Sequence, residues 1–499
     1  MTSVVASVAI DYSGMAKPST NTGTPSALPR VLGPWIATAI VVGTVIGSGV
    51  FKKPYAIAKD VPEFGLAMLA WVLGGVLAIL GALAYAEVAT LYPKAGGNYV
   101  FLREAYGRYA GFLWGWVDFW IIRTGSIAAL ASVFSEQFHE VIREIRGFKE
   151  GERVFHFWVQ QALTVSVIVG LALVNIRGVK WSGVLQFVVT LVKVASLLSI
   201  IVLPFAIVGF VSAPRAAPST DLLSPIWPGS WSDVSLSKFG AAMVGVIWAY
   251  HGWMNIAPVA EEVKQPQRNI PLSLILGVGI VILLYVGANF GYHLIVPRQE
   301  MIDFGKNTTV ATLFSRKLLG AAGGAIASAA IMISVFGALN GNILVGPRLL
   351  FAMGEDRLAP RWLHSLSRFQ TPAWATVVMC AWACLMVIIV AAAFQLRVFG
   401  DPAKPGSKPP FDVITDFAMF GAVALETLAV MAIVVFRQRY PNAERPYRCV
   451  GYPVVPIVYF LIMLLVWINM FFASWIEAAT GIVIMLAGLA VYFGFLHKK

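Results

Sequence analysis

Val41-Val-Gly-Thr-Val-Ile-Gly-Ser-Gly-Val-Phe51 sits in the middle of an apolar run and packs three glycines and two hydroxyls into seven residues. A second run is broken in the same manner by Trp248-Ala-Tyr-His-Gly-Trp-Met-Asn-Ile-Ala-Pro258, where Gly252 and Pro258 bracket Asn255. Glycine and proline weaken a helix, and inside a bilayer each freed N–H or C=O costs several kcal/mol unless something polar meets it. Two such breaks therefore predict a polar site where they meet.

The composition supports a membrane setting. The chain has 499 residues, 58% hydrophobic and 12% charged, with mean hydropathy +0.77. Soluble domains carry about 25% charged residues, so this chain cannot coat a water-exposed surface of its size. The apolar runs are continuous, which excludes a β-barrel with its alternating segments. They fall at 31–55, 64–91, 109–136, 158–175, 181–210, 236–260, 271–296, 320–353, 373–394, 411–436, 452–473 and 477–496. The expected fold is an all-α integral membrane protein of about twelve helices. The longest connections are expected at 137–157, 211–235, 297–319 and 395–410.

The two broken spans are the first and the sixth, each opening a set of five. Matching interruptions in two halves predict an inverted five-plus-five repeat with the site at the repeat interface. The expected organisation is a disordered N-terminal cytoplasmic tail, 1–30, without a cleavable signal peptide, and a first repeat, 31–210. An inverted second repeat, 236–436, two further helices within 452–496 and a cytoplasmic end, 497–499, complete it. An even span count puts both termini on one side. The cluster Arg437, Arg439, Arg445 and Arg448, with Lys498 and Lys499 at the end, predicts that side to be cytoplasmic.

The breaks suit a ligand carrying an anion and a cation close together. Free amides at Gly47, Ser48 and Gly49, beside a half-helix N-terminus, fit a carboxylate. Free carbonyls around Thr44, Val45 and Ile46, and from Trp248 and Ala249 to His251 and Gly252, fit an ammonium. A free α-amino acid carries that pair. Packing competes as a reading, because Gly43 and Gly47 also form a small-xxx-small pattern.

Lys193 lies mid-span and is expected to face the bundle interior, as a stand-in for sodium, a proton carrier or a paired structural cation. His251 is either a satisfied core residue or a specificity residue, and Trp248 either core or a gate. Arg123, Asp118, Glu87 and Glu426 are intramembrane charges that need partners. Asp118 and Arg123, about 140° apart on an α-helix, are not expected to pair with each other. Glu261 and Glu262 read as a helix-end acid cluster or a latch, and Asn340 and Asn342 as packing or pore-lining.

Other classes are poorly supported. The net charge of +12 is scattered through loops without a basic stripe, so nucleic acid is not an expected partner. There is no HExxH, GxSxG or CxxC motif, and His139, His156, His251, His293, His364 and His497 lack metal-ligand spacing, so neither an enzyme nor a metal or cofactor is expected. Cys380, Cys384 and Cys449 form no disulfide framework. A channel would need rings of charge or carbonyls, which two broken helices match less well.

Several motifs together resemble the amino acid–polyamine–organocation superfamily, and within it the L-type amino acid transporter branch. They are Gly43-Thr-Val-Ile-Gly-Ser-Gly-Val-Phe51 and Gly81–Gly107, which contains Tyr92-Pro-Lys-Ala-Gly-Gly-Asn-Tyr99. With them stand Trp248–Trp253 followed by Glu261-Glu262 and Arg268-Asn-Ile-Pro271, Ser334–Gly341, Pro347–Phe351 and Glu444-Arg-Pro446. The similarity covers roughly 31–495.

The resemblance implies the LeuT-like fold and alternating access. It implies a substrate carboxylate on the amides of Ser48 and Gly49, and its amine on carbonyls of Val45, Trp248 and His251. Trp248 would be the gate, and Lys193 the residue linked to sodium-independent transport. His251 departs from the glycine or acid usual there, and Asn98 stands where an acid is common. The loop 137–157 lacks the cysteine through which animal members join a heavy subunit, so no such partner is expected. The expected function is sodium-independent exchange of neutral L-amino acids. Proton-coupled symport, or polyamine and cationic substrates, are the alternatives.

Overall fold

The computed structural model describes residues 28–148, 154–210, 216–304, 309–397, 410–473 and 475–496. Every named element among them is helical, and one isolated parallel bridge, Leu32 with Val263, is the sole strand-like pairing.

Span one is two half-helices, α1 (Pro34–Val45) and α2 (Gly49–Asp60), with residues 46–48 unwound between them. Then come α3 (Phe64–Leu91), a short α4 (Asn98–Tyr106) and a three-part span of α5 (Arg108–Val117), a π-turn (Asp118–Ile122) and α6 (Arg123–Arg146). α7 (Phe157–Ile176) and α8 (Val179–Phe210) complete the first half. The second half opens with α9 (Leu236–Tyr250), which gives way to a 3₁₀ segment, Trp253–Glu262. α10 (Pro266–Ile295), α11 (Arg298–Phe304), α12 (Val310–Val345) and α13 (Pro347–Glu355) follow. The chain continues through α14 (Ala373–Gln395), α15 (Pro410–Arg439), α16 (Val454–Ala473) and α17 (Trp475–Val491).

Eleven helical stretches among the described residues are long and apolar enough to cross a membrane. The expected sixth span is not among them, because α9 stops after 15 residues at the break.

α1 lies at the centre, packed against α8, α10 and α12. Its residues Ala37 to Val45 are all buried. A helix that is apolar all round belongs in an interior, so the burial follows from its sequence. Leu173 on α7, Leu385 on α14, Leu465 on α16 and Leu486 on α17 are instead exposed and supply the lipid-facing surface.

Several expected boundaries shift. α6 runs on to Arg146, through a stretch expected to be a connection, because its polar face is covered. Glu144 and Glu140 pair there with Arg143, and Arg316 of α12 reaches Glu144. The expected connection 297–319 holds α11 and the start of α12, which kinks at Gly320 (φ 70°, ψ −156°). Leu28, expected in a free tail, is buried at 3% exposure and donates its amide to Glu261 at 3.0 Å. Residues 1–27 and 497–499 lie outside the described residues, as does most of the 395–410 connection.

Candidate functional site

The two breaks are pressed together. The Thr44 hydroxyl donates to the carbonyl of Gly252 at 3.0 Å. A Cβ on Gly49 would lie 2.5 Å from Cα of Ala249, so only glycine lets the two backbones approach. Gly252 has φ +111°, a region L side chains rarely adopt, and a Cβ there would meet the Thr44 carbonyl at 3.1 Å. Gly43 serves packing instead: its missing Cβ leaves room for Gln186 and Thr190 of α8.

At the break in span one the polar groups divide by sign. Gly47 N–H turns back to the Val45 carbonyl at 2.7 Å, and Phe51 and Lys52 donate to the Ser48 carbonyl at 3.2 and 2.9 Å. The amides of Ser48 and Gly49 find no acceptor among the described residues. The buried Ser48 hydroxyl likewise has no partner. These free donors sit at the positive end of α2, where an anion is stabilised.

At the negative end of α1, the Lys193 ammonium donates to the carbonyls of Gly43 and Ile46, both at 2.6 Å. Lys193 is fully buried, and Ser334 adds a longer 3.4 Å bond to Ile46. Tyr285 of α10 spans both breaks, donating to Val45 at 2.9 Å and lying 3.1 Å from the Ala249 carbonyl. The Trp248 carbonyl takes the His251 amide at 3.1 Å. Of the expected carbonyls, those of Thr44 and His251 accept no bond among the described residues.

The breaks enclose a cavity of about 30 Å³ lined by Thr44, Val45, Gly47, Ser48, Gly49, Trp248, His251 and Gly252. Ser126, Leu130, Asn255 and Asn342 complete the wall. That volume admits water but no amino acid, so substrate entry requires the halves to separate. Of the expected site residues, Ile46, Ala249 and Lys193 do not reach the wall; they hold the break in shape. Trp248 lies parallel to the His251 ring, 2° between planes and 6.1 Å between centroids.

A second polar cavity lies towards α4, lined among others by Tyr85, Asn98, Asp118, Arg123, Asn255 and Glu426. Between the two, Arg123 donates to Asn255 and to Asn342, both at 2.9 Å. It also pairs with Asp118 at 3.4 Å, contrary to the expectation from an α-helix. The intervening π-turn makes i→i+5 bonds, seen in the Arg123 amide on the Asp118 carbonyl, and brings the two side chains into register. His251 Nε2 is 3.0 Å from Glu426 Oε1.

Other charges are also matched. Arg437 donates to Glu87 at 2.7 and 2.9 Å, Arg445 lies 3.1 Å away, and Cys449 N–H adds 2.7 Å. Glu262 pairs with buried Arg348 at 3.0 Å, and Glu261 takes the amides of Leu28 and Ala95 at 3.0 and 3.1 Å. Asn340 belongs to an interior network with Asn175, Ser182 and Gln186, whereas Asn342 faces the cavity. Asn98 accepts from Tyr85 and contacts the Met254 sulfur at 3.6 Å. Tyr285, Ser126 and Leu130 were not legible: each sits in an apolar run with no local break or charge to mark it.

The model of the amino acid permease family matches residues 32–496. This chain belongs to the amino acid permease family. It is therefore a membrane transporter and not an enzyme. It is 30% identical over 486 residues to the serine/threonine exchanger SteT of Bacillus subtilis (strain 168), covering 95% of this chain and 98% of that protein. The b(0,+)-type amino acid transporter 1 of Homo sapiens is 27% identical over 480 residues, 95% of this permease and 89% of that protein. The large neutral amino acids transporter small subunit 2 of Mus musculus is 26% identical over 477 residues, with 94% and 81% covered.

Proposed function

We propose that this permease is a sodium-independent exchanger of neutral L-amino acids. The observation that carries the reading is the division of charge at the first break. Lys193 holds the carbonyls of Gly43 and Ile46, while the amides of Ser48 and Gly49 stand unpartnered a few residues away. A fixed ammonium on the carbonyl cluster occupies the place a sodium ion would need, and the free amides suit the substrate carboxylate. The amine then takes the open carbonyls of Thr44 and His251, and Trp248 closes over the ligand as the gate. Arg123 and Asp118, towards the second cavity, pair with each other, so this ion pair offers no free charge to a substrate side chain.

The exchange mode draws support from the serine/threonine exchanger, related along 95% of the chain. We further propose two inverted repeats, 31–210 and 236–436, both termini cytoplasmic, and function without a heavy subunit in the cytoplasmic membrane. The test is a panel of labelled L-serine, L-threonine, L-leucine, L-arginine and putrescine offered to proteoliposomes preloaded with the same unlabelled compound. The neutral amino acids exchange; preferential uptake of arginine or putrescine overturns the reading.

A further inference from the structure

The geometry points to His251 and Glu426 as a proton-transfer pair through the wall between the two cavities, so that exchange carries protons. His251 lines the cavity at the breaks; Glu426 lines the cavity towards α4. Their 3.0 Å hydrogen bond is the link between them. The His251 ring lies parallel to Trp248, with Nε2 towards the carboxylate.

Charged and titratable groups face the pair from three elements. Asp118 and Arg123 of span three, their side chains 1% and 9% exposed, pair with each other at 3.4 Å. Tyr85 of α3 and Tyr459 of α16 also lie within electrostatic reach of Glu426.

The step balances without a further reactant. Hydronium in the break cavity gives its proton to His251 Nε2 and becomes water, while Nδ1 keeps its own proton throughout. The N–H bond at Nε2 then breaks, leaving its electron pair on nitrogen, as a lone pair of Glu426 Oε1 forms the new O–H bond. The carboxylic acid releases the proton to water on the α4 side. Glu426 acts here through His251.

This inference rests on the proposed exchange, and the experiment separates the two. Proteoliposomes containing a pH dye and unlabelled L-serine receive labelled L-serine under an imposed pH gradient. Wild type shows serine-dependent proton flux. Glu426→Gln keeps a hydrogen-bond acceptor for His251, and its proton flux per serine falls about a hundredfold, the lower end of what a positioned proton-transfer group contributes. Glu426→Asp restores part of it. Serine exchange with equal proton flux in wild type and Glu426→Gln overturns the proposal. So does wild-type exchange with no serine-dependent flux.

If L-serine is not exchanged at all, the proposed function fails, and the infrared pH-difference spectrum of the purified protein decides this point alone. A carboxylic-acid band lost in Glu426→Gln supports the pair. An unchanged spectrum overturns it.

Discussion

Lys193→Met keeps an unbranched side chain of similar reach and removes the ammonium. Two hydrogen bonds of 2.6 Å, to Gly43 and Ile46, disappear together. A bond to a charged group contributes about 1.5–3 kcal/mol, so the pair contributes about 3–6 kcal/mol before the desolvation of the buried ammonium is set against it. The two carbonyls are left buried, with only the 3.4 Å contact from Ser334 on one of them. If half of the gross figure survives, the arrangement that holds the break is depopulated by about ten- to a hundredfold. Labelled L-serine exchange in sodium-free proteoliposomes should fall by that factor. Sodium, a cation that oxygen ligands accept, should restore part of the rate, and choline should not. Wild-type exchange by Lys193→Met without sodium would refute the assignment of the ammonium to the carbonyl site.

Three further outcomes follow from the same geometry. Gly252→Ala forces a side chain into φ +111° against the Thr44 carbonyl, at about 1–3 kcal/mol; thermal unfolding in detergent should shift down and exchange should slow at least tenfold. Ser48→Leu overfills a cavity of about 30 Å³ beside the free amides and should abolish substrate binding, read by scintillation proximity. Glu87→Gln leaves Arg437 and Arg445 around a neutral group and should destabilise the protein by about 3–5 kcal/mol, read as loss of monodisperse protein on heating.

The legible part of the fold was the part with local punctuation. Gly47-Ser-Gly49 and His251-Gly252 marked the breaks because glycine placement is a local property, and both lie where the helices unwind. Lys193 was legible because a mid-span ammonium has few places to go. The partners of the charges were not legible, since His251 and Glu426 are separated by 175 residues and only packing joins them. Asp118 and Arg123 misled for a different reason: a π-turn changes the period, and nothing in Asp118-Phe-Trp-Ile-Ile122 announces it. The long α6 was cut short in the sequence because its buried polar face, with Gln137, Glu140 and Arg143, is apolar only in the sense that α12 covers its charges.

The most direct test of the central claim compares labelled L-serine uptake into empty vesicles and into vesicles preloaded with unlabelled L-serine, in sodium-free buffer at equal pH on both sides. Lys193 as a fixed cation and the free amides of Ser48 and Gly49 as the carboxylate site predict uptake into the preloaded vesicles only. Uptake into empty vesicles that appears only with an inward sodium gradient would contradict the account.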